Sequence, residues 1–585
     1  MMKCIFVSFL MLMCSILTIK AIPAKYRPFK VTNSDGTELT IVLRGDESFH
    51  FYTTEEGIPV STDENGDYRL APELKETLAN QWAERKQQRN VRRVQRGNQT
   101  RVRSQAKESL YAGKKKGIVI LVEFSDLAMK SIHTTTVFNN MFNEVGYSED
   151  GHIGSVHDYF YDQSYGQLDL TFDVYGPITV SKSYTYYGAN NEDGDDKHVG
   201  ALTAEAFKLA SQTYDINWKD YDWDGDGEVD QVYLIYAGVG EHASGIANTI
   251  WPHEYALSSA QYYGDGNGPI KLGGCTIDTY AMSSELSGSE LSSTTLDGIG
   301  TACHEFSHCL GLPDFYDTSY DGGFGMEAWD VMDAGAYNGP NWNSECPAGY
   351  SAYERWYAGW LTPTELSEPA SVTDMPCLGD EPVAYIIYND GHPNEFFLLE
   401  NRQNTNWFQY IAYFASCHGM LISHVDYNEH AWMENTVNND AEHQRMTIVP
   451  ASGIYGNLKG QSGERYYQIT ETLYKGHLFP GSYNATSFTN TSHTKVGGKL
   501  FSANTDGSYA LNKPITDIKE SDGLISFTFM GGGIHVGIDG PVTSAAAEEN
   551  TTYFTLSGLP VSKPAAPGFY LERKGSITRK VFLSN

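Results

Sequence analysis

The chain has 585 residues, too many for one ordinary hydrophobic core, so several domains are expected. Its 41 basic and 73 acidic side chains leave a formal charge of −32, which argues against a nucleic-acid binder. An aromatic content of 13% together with 57 Gly suits a β-rich, turn-rich extracellular protein.

The chain starts "MMKCIFVSFLMLMCSILTIKAIPAKY", in which Lys3 precedes an apolar run from Cys4 to Ile19. That run is shorter than the roughly 20 residues a spanning helix needs. Residues 1–21 therefore read as a secretory signal peptide, with Ala21 or Ala24 as the small residue before a cut. Lipid attachment at Cys14 is the weaker reading, because Met11 and Met13 are bulky where small residues are wanted. Past the signal stand Cys275, Cys303, Cys309, Cys346, Cys377 and Cys417, an even set fit for an oxidising compartment, whose pairing sequence cannot choose.

From Lys25 to about Pro72, short alternating apolar runs broken by Gly and Asp predict a small antiparallel β unit. A basic stretch follows, from Arg85 to Lys116, with Glu108 as its one acid. It is a solvated linker by composition, and in an acidic exported chain it is also where a trypsin-like cut would fall. Residues 22–112 are thus expected to form a removable pro-segment that inhibits the rest.

"KGIVILVEF", Lys116–Phe124, reads as a buried strand, and helical and strand-like segments then alternate through residues 113–361. Within them, "DYDWDGDGEVD" sets Asp222, Asp224, Asp226 and Asp230 at calcium-loop spacing, with the Glu228 carbonyl between. Tyr233 stands where an EF-hand needs its bidentate Glu, so the expectation is a structural Ca2+ loop of another kind.

"TACHEFSHCLGLPDFYD", Thr301–Asp317, predicts a helix with Asp297 as N-cap and a stop at Gly311 and Pro313. At about 100° per residue, Ile299, Cys303, Phe306 and Leu310 form the packing stripe. His304 and His308 then lie nearly opposite, one turn apart, so the core does not need them. Two such imidazoles can meet one ion, Glu305 can reach its water, and a left-handed Gly311 would return Asp314 as third ligand. Three protein ligands leave a position open, as catalytic zinc requires. Glu305 is then placed to act as general base and acid in hydrolysis by that water. Glu327, farther along, is the rival third ligand, and Tyr316, Tyr337 and His253 are candidates for an oxyanion donor. Cys303 falls on the packing stripe, so it and Cys309 are expected in a disulfide or as buried thiols.

The pattern H-E-x-x-H-x-x-G-x-x-D resembles the zincin metallopeptidases, and specifically the immune inhibitor A-like (M6) family. Further stretches carry the resemblance: "SVHDYFYDQSYGQLDL", "YDWDGDGEVDQVYLIYAGVGEH", "IWPHEY", "EFFLLENRQ" and "GMLISHVDYNEH". It implies an α+β, metzincin-like catalytic domain with a twisted mixed sheet and active-site helix, one catalytic Zn2+, and a Met-turn at Met332, with Met326 the weaker alternative.

Residues 362–533 turn to strands separated by turn residues, a β-sandwich-like domain. There His424, Asp426, His430 and His443 read as structural polar residues rather than an ion site. The tail, 534–585, is a small β module that resembles C-terminal sorting modules of exported Bacteroidetes proteins, which implies a secretion machinery as partner. The expectation is a secreted zinc endopeptidase, cell-surface association remaining open, that acts on extracellular proteins or peptides. A secreted binding or adhesion protein with a vestigial metal site is the alternative.

Overall fold

The computed structural model describes residues 20–25, 28–46, 49–63, 66–78, 81, 111–191, 195–319, 322–459, 465–467 and 470–537. In the tail it describes 551–554, 560–561, 568–574 and 577–583. Of the expected signal peptide, residues 1–21, only Lys20 and Ala21 are described, and most of the basic connector lies outside the described residues.

The fold mixes helices with several sheets. The central sheet has six strands in the order Lys20–Ala21, His253–Ala256, Thr279–Leu286, Val232–Val239, Gly113–Glu123, Leu168–Thr179. The last four run parallel, while His253–Ala256 is antiparallel to its inner neighbour and to Lys20–Ala21. Ile118 through Val122 are fully buried, as expected of a central parallel strand covered on both faces.

The Ile299–Cys309 helix packs its expected stripe into this core, and Phe306 meets Phe160 and Phe172 at ring separations of 5.0 and 5.6 Å. Its other face is buried too, because loop and chain segments cover the histidines. The N-cap differs from expectation. Gly298 occupies it without a side-chain cap, and Asp297 instead accepts from the Thr301 hydroxyl at 2.9 Å, one turn in. Gly300 explains why the helix begins so tightly: a Cβ there would stand 1.9 Å from the Ala336 carbonyl oxygen.

Residues 29–70 form a five-stranded antiparallel meander, matching the small β unit expected there. Beyond residue 361, a five-stranded sheet and a four-stranded sheet share a core that includes Val372, Ile387, Phe397, Ile422 and Phe527. Ile386, Leu398 and Leu421 point the other way, into the main core, so strand alternation serves two cores at once. The strand Ile534–Gly537 pairs with Ala370–Met375, past the expected boundary at 533, and the second compact unit comprises residues 538–585. Its described residues form one four-stranded antiparallel sheet. Cys303 is buried on the packing stripe, as the thiol alternative expects, and Cys309 is half-buried, with its sulfur 3.8 Å from the Glu305 carbonyl oxygen.

Candidate metal centre and its cleft

The helix does what the i, i+4 spacing predicts. His304 and His308 direct Nε2 atoms at one point, 3.2 Å apart, and Asp314 Oδ1 stands 3.2 Å from the first and 3.3 Å from the second. All three side chains are buried. Gly311 takes φ +92°, the left-handed turn that brings Asp314 back.

Each imidazole is fixed from behind. His304 Nδ1 lies 2.6 Å from the Val331 carbonyl and His308 Nδ1 lies 2.8 Å from the Leu312 carbonyl. Nδ1 therefore carries the proton and Nε2 keeps its lone pair for the shared point. Ligand atoms about 2.0–2.1 Å from a tetrahedral ion stand roughly 3.3 Å apart, so the observed triangle has the size zinc needs. Burial alone would raise the Asp314 carboxyl, but His308 and His304 hold it well below the ordinary carboxylate range. Asp314 is also gripped by Asn435, which accepts from its backbone N–H at 2.7 Å and donates to Oδ2 at 2.6 Å.

Met332 is buried in the loop that also supplies the Val331 carbonyl; its N–H donates to Asp330 and its carbonyl accepts from Phe315, both at 2.8 Å. Glu327 is no third ligand in this arrangement. Its Oε2 accepts from the Tyr474 hydroxyl and the Ala328 N–H, both at 2.6 Å. Of the three suggested oxyanion donors, His253 turns Nδ1 to the Trp251 carbonyl at 2.7 Å, and burial pushes its pKa down to about 4. Tyr316 is buried. Tyr337 is buried as well, and its hydroxyl reaches into the cleft.

What it reaches is the chain's own early segment. Ile22 donates its backbone N–H to Glu305 Oε1 at 3.1 Å. Trp251 Nε1 donates to the Ile22 carbonyl at 2.8 Å, and the Tyr337 hydroxyl to the Pro23 carbonyl at 2.5 Å. Ala24 and Lys25 continue the line, donating backbone N–H groups to Gly45 and His242. On the other side of Ile22, Ala21 pairs with His253 and Lys20 with Glu254. An extended chain thus crosses the site with one peptide nitrogen on Glu305. Sequence reading expected residues 22–112 to inhibit but did not place Ile22–Lys25 on Glu305, and it did not name Asn435. Their contacts span 283 and 121 positions, beyond any local signal.

The acidic loop brings three of its carboxylates together. Carboxylate oxygens of Asp222, Asp224 and Asp226 lie within 4.8 Å of one another. Asp222 accepts from the Gly225, Asp226 and Gly227 N–H groups, and positive φ at Gly225 and Gly227 makes the turns. Glu228 bridges to Thr276, and Asp230 accepts from the Trp223 N–H. Burial pushes Asp230 up to about 6, with the charges of Asp224, Asp222 and Asp226 adding to it. In the β-rich part, His424 pairs with Glu395 at 3.0 Å and His443 with Asp426 at 2.6 Å.

Residues 104–360 match the family model described as immune inhibitor A peptidase M6, catalytic domain. Immune inhibitor A of Bacillus thuringiensis subsp. alesti is 29% identical over 274 residues, covering 40% of this chain and 39% of that protein. Pre-pro-metalloprotease PrtV of Vibrio cholerae serotype O1 (strain M66-2) is 24% identical over 293 residues, covering 43% of this chain and 31% of that protein. The chain therefore spans well under half the length of these relatives. Among the described residues no helix is long and apolar enough to cross a membrane. The His304–His308–Asp314 triangle thus lies inside the residues that match the immune inhibitor A peptidase M6 catalytic-domain model.

Proposed function

We propose that the chain is an exported, zinc-dependent endopeptidase made as a zymogen, which hydrolyses peptide bonds of extracellular proteins. The observation that carries this reading is the Ile22 N–H on Glu305 Oε1, beside a triangle of donors sized for zinc. His304, His308 and Asp314 would hold the ion, which supplies a Lewis acid that acidifies water and polarises a carbonyl. Glu305 takes a proton from the attacking water and gives it to the departing amine, whose nitrogen in a substrate lies where the Ile22 nitrogen lies. Trp251 and Tyr337 hold the strand beyond that bond by its carbonyls, and the edge strand His253–Ala256 pairs with the part before it. Met332 belongs to the loop that orients His304.

Residues 22–112 act as inhibitor, since their first four residues fill the cleft. The name of the Vibrio relative describes a pre-pro form of that protein. Asp222, Asp224, Asp226, the Glu228 carbonyl and Asp230 hold calcium to stabilise the fold, because five acidic residues in nine repel one another without it. The tail, 534–585, serves export or cell-surface attachment through a secretion machinery. The reading as a binding protein with a vestigial metal site leaves Glu305 without work, because metal retention needs no acid facing a peptide nitrogen.

The test is casein digestion by the zinc-loaded full chain after trypsin has opened the connector, with and without chelator. Chelator should abolish digestion, and Glu305→Ala should lower it at least about a hundredfold with zinc retained. Digestion surviving in zinc-retaining Glu305→Ala would end the peptidase mechanism. Adding isolated 22–112 should inhibit; no effect would remove it as the inhibitor.

A further inference from the structure

Lysine is almost never buried without a partner, and taking an ammonium out of water is costly unless hydrogen bonds replace the water. Lys25 is 5% exposed. Its Nζ donates to Asn343 Oδ1 at 2.9 Å and to Ser287 Oγ at 3.1 Å, and it lies 5.5 Å from the centroid of the Tyr337 ring. Asp297 feels the same charge: burial raises its carboxyl and Lys25 pulls it back. Around Lys25 Nζ, Ser287, Asp297, Tyr337 and Asn343 belong to the segment that matches the peptidase model. None of these four belongs to residues 22–112, so they stay with the chain after any removal of that segment. A plug meant only to cover the cleft would have no reason to bury an ammonium where a methionine stem would fill the space.

The register gives the slot a meaning. With its nitrogen on Glu305, Ile22 is placed as the first residue after a cleaved bond, fully buried, and Lys25 is the fourth. Cleavage there would add hydroxyl to the carbonyl carbon of the preceding residue and hydrogen to the Ile22-like nitrogen, with water as the only co-reactant. We propose that the slot formed by Ser287, Asn343 and Tyr337 is a substrate subsite that selects lysine three residues beyond an aliphatic residue that follows the cleaved bond, and that Ile22–Lys25 occupy it as a stand-in while the enzyme is latent. This deepens the peptidase reading and rests on it.

Two measurements test it, one of them independent of catalysis. In the zinc-loaded full chain, Lys25→Met keeps the stem and removes the charge. Amide exchange at Ile22, Ala24 and Lys25 (now Met) should accelerate roughly ten- to a hundredfold while the melting of the remaining chain is kept. Unchanged exchange overturns the slot whatever the enzyme does. Second, the trypsin-opened full chain is given the peptide Thr-Ile-Lys-Ala-Ile-Pro-Ala-Lys and its counterpart ending in Met. The lysine form should be cut with kcat/KM at least about tenfold higher, at the Ala–Ile bond, and Asn343→Leu should erase the difference. Equal rates on the two peptides, with casein still digested, sink the subsite and leave the peptidase standing. Failure to digest casein at all sinks the peptidase, and the exchange experiment alone then decides whether the slot reads an ammonium.

Discussion

Asn435 holds Asp314 at two points, accepting from its backbone N–H at 2.7 Å and donating to its Oδ2 at 2.6 Å. With Oδ2 engaged, Oδ1 is left facing the two imidazoles, so an amide from the β-rich part sets how the carboxylate meets an ion. Asn435 is itself at φ +53°, a conformation asparagine tolerates better than most residues. Such outer contacts are commonly worth about ten- to a hundredfold in metal affinity. Asn435→Ala should weaken zinc binding by that range, and Asn435→Asp should weaken it further by setting a second negative charge against Asp314. Competition against a chromophoric chelator measures both; unchanged affinity in Asn435→Ala would show that Asp314 is held without it.

The acidic loop predicts a calcium effect that grows with pH. Asp230 is raised to about 6, chiefly by burial and then by its acidic neighbours. A raised carboxyl favours the folded state below the unfolded pKa of about 4 and loses that contribution as pH climbs through about 6. A cation among Asp222, Asp224 and Asp226 would offset the loss. Added Ca2+ should therefore raise the melting temperature little at pH 5 and clearly at pH 7, and Asp222→Asn should remove the increment. Thermal melts in EGTA and in millimolar Ca2+ read it directly, and a pH-independent or absent increment would leave the loop a solvated turn.

Sequence made some of this legible because the controlling interactions are local. His304, His308 and the turn at Gly311 follow from helical period and from one residue's backbone freedom, and the acidic loop follows from turns closed within six residues. Other features depend on chain brought from far away. Glu327 was a fair rival to Asp314 by spacing, and what removes it is Tyr474, 147 positions on. Asp297 is a good N-cap type, yet the helix must begin against Ser344 and Ala336, and that approach puts Gly298 at the cap. Ile22 looked like the edge of a signal peptide, and nothing within its neighbourhood announces Glu305.

That tight helix start carries its own prediction. Gly300 donates its N–H to the Ser344 carbonyl at 3.0 Å, and an added Cβ would stand 1.9 Å from the Ala336 oxygen and 3.0 Å from the Ser344 side chain. The backbone oxygen cannot swing aside as a flexible side chain could. Gly300→Ala should cost about 3 kcal/mol or more, at the severe end of overpacking, despite alanine's better helix propensity. Denaturant unfolding would report it; a loss under about 1 kcal/mol would mean that the turn 334–337 yields easily.

Glu327 gives the clearest pH signature away from the metal centre. It is buried, and burial pushes its carboxyl up to about 7, against the pull of the Tyr474 hydroxyl and the Ala328 N–H. The folded pKa is raised, so the stabilising contribution is whole below about 4.5 and is lost as pH rises through about 7. A shift of that size corresponds to roughly 3 kcal/mol as an upper figure. Glu327→Gln keeps an oxygen for both donors and carries no charge at any pH. The variant should melt close to the parent at pH 5 and above it by several degrees at pH 8. Melts across that range check it, and a constant offset between the two proteins would show that the Glu327 carboxyl does not titrate in that window.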